Sequence, residues 1–223
     1  MYLQYGTSRI LYGTVGIMSS ETSSGSAPRG RPRSDEVDQA ILRAASALLS
    51  ERGLSAMTIE EVAARAGVGK ASIYRRWPTK GTLALDAFLM DFLTQQPPVD
   101  RGTLEDDLRE ALSLWSATVV GTPTGRALVG LVAEAQLDQE LAGSWIERVM
   151  TPVRVQHRAM VDRAIGRGEI PASSDVDVIM DLLYGAVYHR LLQGHLEITP
   201  EFIDLVAQMV AEGAKAGAAI SLK

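Results

Sequence analysis

Between Ala63 and Leu83 the chain reads AARAGVGKASIYRRWPTKGTL, so that Arg65, Lys70, Arg75, Arg76 and Lys80 gather around Ser72, Tyr74 and Trp77. Guanidinium and ammonium groups donate to phosphate oxygens or to guanine. Hydroxyls such as those of Ser72 and Tyr74 donate to a phosphate or a base edge, and Ala71 is small enough to admit a thymine methyl. The chemistry on offer is recognition of a polyanion, and double-stranded DNA has a groove that a helix fits. Covalent chemistry is poorly served. The chain has no cysteine, which excludes disulfides, thiolate metal sites and cysteine nucleophiles and suits a reducing cytoplasm. Its three histidines, at 157, 189 and 195, fall in no metal-ligand or triad spacing, and His189 and His195 do not share a helical face. Gly166-Arg167-Gly168 reads as a helix terminator, not a phosphate-cradling loop. No enzymatic activity, metal or cofactor is expected.

Charge follows the same division. The 223 residues carry a net charge of −5, yet Arg29 to Lys80 holds ten Lys or Arg against six Asp or Glu, and Gly81 onward holds eleven against twenty. Two stretches of opposite sign suggest two tasks, with the positive one facing a polyanion. No apolar run approaches the ~18 residues of a membrane span, and the mildly apolar Ile10–Met18 lacks a convincing cleavage site. The leader-like MSSETSSGSAPRGRPRSDE suggests a native start at Met18, with residues 1–17 an upstream extension. Residues 1–33 read as a disordered arm rich in Ser, Gly, Pro and Arg.

The elements that must position the basic stretch are helices. Ser34-Asp35-Glu36 offers a cap and first-turn acids, and apolar residues from Val37 to Leu49 recur at helical spacing until Gly53. Thr58 and Glu61 fit a capping box at the start of a second helix, which Gly67 ends. A third runs from Lys70 to Trp77, and Pro78-Thr79 opens a fourth that reaches Phe92. Beyond it, helices are expected near 103–120, 124–136, 138–167, 175–194 and 199–215, with Pro152 kinking or dividing the long one. No alternating β pattern appears, so the fold class is all-α.

Two short helices joined by a glycine-containing turn make a helix-turn-helix, placed here within residues 34–79. Ala63 and Ala71 would allow close approach, while Ile59, Val62, Val68, Ile73 and Trp77 would pack on Leu48 and Leu49. Lys70, Ser72, Tyr74, Arg75 and Arg76 then remain on the outer face of the third helix. Thr58 and the free amides behind it offer a phosphate site, and Lys80 opposes its own helix dipole unless it meets an anion. On spacing and charge alone, a purely structural pair of helices with a solvated basic face stays open.

The segment TIEEVAARAGVGKASIYRRWPTKGTLALDA closely resembles the helix-turn-helix of TetR-family transcriptional regulators, through Ala63, Ala66-Gly67-Val68, Ile73-Tyr74, Trp77 and Lys80. It departs from the family pattern at Gly69, where serine is common, and at Gly81, where glutamate is common. The resemblance implies DNA contacts at Thr58, Lys70, Ala71, Ser72, Tyr74, Arg75 and Lys80, with the Arg29–Arg33 arm as either a minor-groove tether or a solvated tail. It implies a homodimer on a palindromic operator, in the cytoplasm, and most often a repressor released by a small hydrophobic effector. A TetR-like activator and a ligand-independent regulator share that fold. A protein-binding adaptor is a more distant reading that leaves the basic face unexplained.

Residues 80–223 are then the ligand-binding and dimerisation part. DVDVIMDLLYGAVYHRLLQG, at 175–194, is apolar nearly all round, as a central core helix or a subunit-pairing helix would be. The final helix offers Phe202, Leu205, Val206, Met209 and Val210 as its stripe. Phe88, Trp115, Met150, His157 and Tyr184 are the candidate lining of an effector pocket, each with plain core packing as its alternative.

Overall fold

The computed structural model describes residues 31–92 and 96–217. Met18, Arg29 and most of the expected arm lie outside the described residues. Every regular element among the described residues is helical: α1 Arg31–Ala56, α2 Ile59–Ala66, α3 Lys70–Tyr74, α4 Lys80–Phe92, α5 Leu104–Val119, α6 Pro123–Ala135, α7 Gln139–Trp145, α8 Thr151–Gly166, α9 Val176–Gln193 and α10 Pro200–Lys215.

Helix boundaries follow local chemistry. Thr58, Thr103, Thr122, Asp138, Asp175 and Thr199 each cap the following helix by accepting from a backbone N–H of its first turn. Such caps satisfy amides that the helix leaves without partners. Two boundaries differ from expectation. Helix α1 begins at Arg31, so Ser34 lies inside it, and Pro32 sits in the first turn, where its missing N–H costs nothing. Regular α3 ends at Tyr74 instead of Trp77, although the amides of Arg76 and Trp77 still bond to the carbonyl of Ile73 and prolong the helical turn. The apolar run of α1 does end at Gly53, where φ 76° and ψ 171° break the helix before Leu54 to Ala56.

The division expected at Pro152 takes a specific form. Ile146–Met150 is a single π-helical turn between α7 and α8, with the Thr151 N–H bonding five residues back to Ile146 O. Proline cannot supply the amide that an uninterrupted α-helix requires at 152, and widening the preceding turn absorbs the mismatch. The Thr151 hydroxyl adds a second bond to the same carbonyl, at 2.9 Å.

One continuous core runs through these elements. Ile41, Leu48 and Leu49 of α1 pack with Val62 and Ile73 in the N-terminal trio, all fully or almost fully buried. Helix α5 lies against α6, α8, α9 and, most extensively, α10. Helix α4 joins the two halves by packing on α6 and α7.

Candidate nucleic-acid interface and effector cavity

The turn between α2 and α3 is set by Gly67, whose φ of 68° places it in the left-handed region that a side chain disfavours. Its N–H and that of Val68 bond back to the carbonyls of Ala64 and Ala63, closing the α2 end. Gly69 caps α3 without a side-chain bond. The five-residue helix therefore depends on anchoring from below. Ile73 is fully buried, and Trp77 is buried with its indole N–H donating to Asp86 Oδ2 at 2.7 Å.

Above this anchor, Lys70, Ala71, Tyr74 and Arg75 are exposed and Ser72 is half-buried. Ala71 thus faces solvent instead of the α2 contact. Tyr74 is 49% exposed, a high value for a tyrosine beside a core. Arg75 has no carboxylate partner among the described residues, whereas Lys70 pairs with Glu60 Oε1 at 2.8 Å. That pair is exposed and weak, and its carboxylate holds the Lys70 ammonium above its usual pKa. Thr58 accepts from the Glu61 N–H and donates to Glu61 Oε2 at 2.9 Å, forming the expected cap.

Two cations are placed otherwise than the sequence suggests. Arg76 turns inward, bonding to Asp38 of α1 and donating to Ser72 O at 3.0 Å, and its side chain is only 18% exposed. Lys80 reaches back across the first helix and donates to Leu54 O at 2.9 Å and Ser55 O at 3.4 Å. Those carbonyls follow the break at Gly53 and have lost their helical donors, which explains the cation at the start of α4.

The same junction is closed by other short contacts. Arg126 of α6 donates to Ser50 O at 3.0 Å, and Gly130 lies close to Leu54. Gly81 stands so near Leu141 that an added Cβ would lie 3.0 Å from its Cδ2. A glutamate there would meet α7, so the glycine departure matches the tight α4–α7 packing. Asp86 accepts from Trp77 with one oxygen and pairs with Arg148 of the π-helical turn through the other.

Beyond that turn lies a cavity of about 500 Å³, bordered by α4, α5, α6, α7, the π-helical turn, α8 and α9. Trp115, Met150, His157 and Tyr184 line it, but Phe88 does not. Phe88 sits one turn away from Phe92, stacked on it at 4.7 Å, and Phe92 is the residue that meets the void. His157 Nε2 and Tyr184 OH share a hydrogen bond of 3.0 Å. Burial, with repulsion from Arg154, pulls the His157 pKa down to about 4, and burial raises Tyr184 well above the usual phenol value. Arg154 at the edge already holds Asp177 at 2.8 Å and also pairs with Asp181.

Comparison with known proteins gives the family. Residues 41–87 match the family model described as bacterial regulatory proteins, tetR family, and residues 98–210 match that for the tetracyclin repressor-like C-terminal domain. The chain belongs to the TetR family. It is 35% identical over 180 residues to YdeS of Bacillus subtilis (strain 168), an HTH-type transcriptional regulator, covering 80% of this chain and 90% of that one. It is 30% identical over 169 residues to the DNA-binding transcriptional repressor TetR of Mycobacteroides abscessus, covering 74% and 85%. The crystal structure of the TetR-family regulator SCO0332 superposes with a TM-score of 0.69 at 32% identity, over 80% of this chain and 98% of that one. Its TetR-type helix-turn-helix makes this chain a DNA-binding transcriptional regulator, and no described helix is long and apolar enough to cross a membrane.

Sequence reasoning missed Trp145, Val149 and Tyr188 of the cavity wall. The aromatic character of 145 and 188 was a usable signal, but nothing local marks which turn of a helix borders a void. The histidines at 189 and 195 also surprise. Gly194 ends α9 and turns the chain back, bringing their rings to 4.9 Å although they share no helical face.

Proposed function

We propose that this protein is a homodimeric, cytoplasmic TetR-type repressor that reads a two-fold operator with α3 and leaves it when a small hydrophobic molecule occupies the cavity. The observation that carries the reading is the α3 surface, where Lys70, Tyr74 and Arg75 stand in solvent above the buried Ile73 and Trp77. Ala71 and Ser72 face the base edges, Lys70, Tyr74 and Arg75 reach phosphates or guanine, and Thr58 presents the α2 amides to a phosphate. Lys80 acts indirectly, by fixing the end of α1 against α4.

Dimerisation is supported by apolar surface left uncovered on the last two helices. Leu182 is 61% exposed and Met209 66%, and both border an apolar groove of about 380 Å³ between α9 and α10. Such side chains on a well-packed helix pair call for a covering surface, and a second copy doubles the DNA contacts. Operator binding tests the whole reading. The purified protein should sediment as a dimer and retard a near-palindrome from upstream of its own gene, with affinity falling steeply as salt rises. Lys70→Ala and Ser72→Ala should change base preference, whereas Arg75→Ala should weaken operator and random DNA alike. Equal losses on both DNAs for all three variants would contradict this division of roles.

A further inference from the structure

We propose that the cavity takes a neutral, planar aromatic molecule of about two to three rings carrying one hydrogen-bonding group, which docks on the His157–Tyr184 pair. This deepens the effector reading above and rests on it. Size alone sets only a broad class, since about 500 Å³ suits a drug-sized ligand. The wall chemistry narrows it. Phe92, Trp115, Trp145, Tyr184 and Tyr188 present five aromatic side chains to one void. Trp115 meets Tyr184 edge-on at 6.3 Å and Tyr188 at 5.3 Å, so these rings hold one another in fixed orientations. A flat ligand can continue such an arrangement by stacking or edge contact, each worth more than its buried area alone. A flexible alkyl chain gains only the area and loses rotational freedom on binding.

Polarity in the wall is sparse and paired. The Tyr184 hydroxyl and His157 imidazole share one bond, which leaves an amphoteric face. With Tyr184 donating to Nε2, its oxygen can accept from a ligand O–H or N–H. With Nε2 protonated and donating, the Tyr184 O–H turns to a ligand carbonyl. Both groups stay neutral in either arrangement, because burial depresses the histidine and raises the phenol. Nothing in the wall welcomes an anion. The guanidinium of Arg154 is the cation within reach, and Asp177 and Asp181 already occupy it. Drawing a carboxylate there means displacing one of those partners and desolvating the newcomer.

Calorimetry on the full-length protein at pH 7.5, without DNA, tests the assignment with four probes: 2-naphthol, naphthalene, 2-naphthoate and 1-decanol. Binding of 2-naphthol at one per chain, at least tenfold tighter than 2-naphthoate and 1-decanol, is the expected result. Tyr184→Phe should weaken 2-naphthol at least fivefold while leaving naphthalene unchanged, and His157→Phe should give the same pattern if either variant alone disturbs folding. A carboxylate or alkanol that binds as tightly as 2-naphthol overturns the proposal. So does failure of both arenes to bind, or a Tyr184→Phe and His157→Phe pair that leaves the naphthol-to-naphthalene ratio intact. Operator release is read separately, by adding 2-naphthol to the protein–DNA complex. Binding without release would sink the regulatory reading and leave the cavity assignment standing.

Discussion

At α3, Lys70 and Tyr74 stand in solvent on a five-residue helix whose one buried side chain is Ile73, and Arg75 is exposed at its C-terminal cap. Around the cavity, by contrast, His157 and Tyr184 are enclosed by rings from α4, α5, α7 and α9, the elements of four separate sequence regions. The outer surface draws its chemistry from one contiguous stretch and borrows its rigidity from beneath. The cavity draws its rigidity and its chemistry from the same side chains. Substitutions should therefore spare stability on the outer face of α3, whereas truncating a ring around His157 should cost both stability and ligand binding.

The largest expected effect is at the anchor. Trp77→Ala should cost about 3–5 kcal/mol of unfolding free energy, by removing a buried indole and leaving Asp86 Oδ2 without its donor. Tyr74→Ala, three residues earlier and half exposed, should change stability by less than about 0.5 kcal/mol while weakening DNA binding. Urea titrations of both variants measure the contrast. A Trp77→Ala protein within about 1 kcal/mol of the parent would show that α3 does not lean on this side chain.

Around the cavity the corresponding effect is a pH dependence. The native pKa of His157, about 4, lies below its ordinary 6.5. Above pH 6.5 the imidazole is neutral in both native and unfolded chains, and its contribution is fully present. Between 6.5 and 4 the unfolded chain takes up a proton that the native protein declines, so stability falls as pH drops, by up to about 3 kcal/mol. Desolvation is the larger cause and the Arg154 charge the smaller. His157→Phe should flatten the stability profile between pH 6.5 and about 5, measured by denaturant unfolding at each pH. An unchanged slope in that variant would move the titration elsewhere.

The two regions were unequally legible for the same physical reason. Caps such as Thr58, Thr103 and Asp175 act within one turn, so sequence spacing alone places them, and Gly67 announces its turn. Ile73 and Trp77 are four apart and must share a face, which fixes what α3 exposes. Phe88 and Phe92 are also four apart on one face, yet only Phe92 reaches the cavity. The difference lies in how far along α4 the void extends, and that depends on α7 and α8. Arg76 was misread because its partner, Asp38, lies on another helix. The π-helical turn had a signal in Pro152, whose missing amide the turn directly before it, Ile146–Met150, absorbs.

A middle-sized effect tests how α3 is held in place. Lys80→Ala should cost about 1.5–3 kcal/mol, the range for losing charge-assisted hydrogen bonds, here those to the Leu54 and Ser55 carbonyls. Lys70→Ala should cost much less than Lys80→Ala, because its bond to Glu60 is exposed and screened by solvent. Thermal unfolding in low salt distinguishes them. Should the two lysines prove equally dispensable for stability, Lys80 would be free to meet DNA directly, and its backbone clasp would not govern its role.

The smallest effect lies where the regions meet. Asp86 holds the Trp77 indole with one carboxylate oxygen and Arg148 with the other, and Arg148 belongs to the turn whose Val149 and Met150 border the cavity. The Arg148 side chain is partly exposed, so the ion pair contributes little on its own, about 0.5–1 kcal/mol. Its consequence is geometric, because one carboxylate cannot follow two partners that move apart. Asp86→Asn keeps an oxygen for the indole but loses the charge that holds Arg148, and Arg148→Ala removes the far arm alone. Each should lower operator affinity by about two- to fivefold, the equivalent of that pair energy, and the double variant should lower it no further. Fluorescence anisotropy on labelled operator gives all three numbers. Losses that multiply in the double variant would mean that Asp86 and Arg148 act independently, leaving the cavity wall without this route to Trp77.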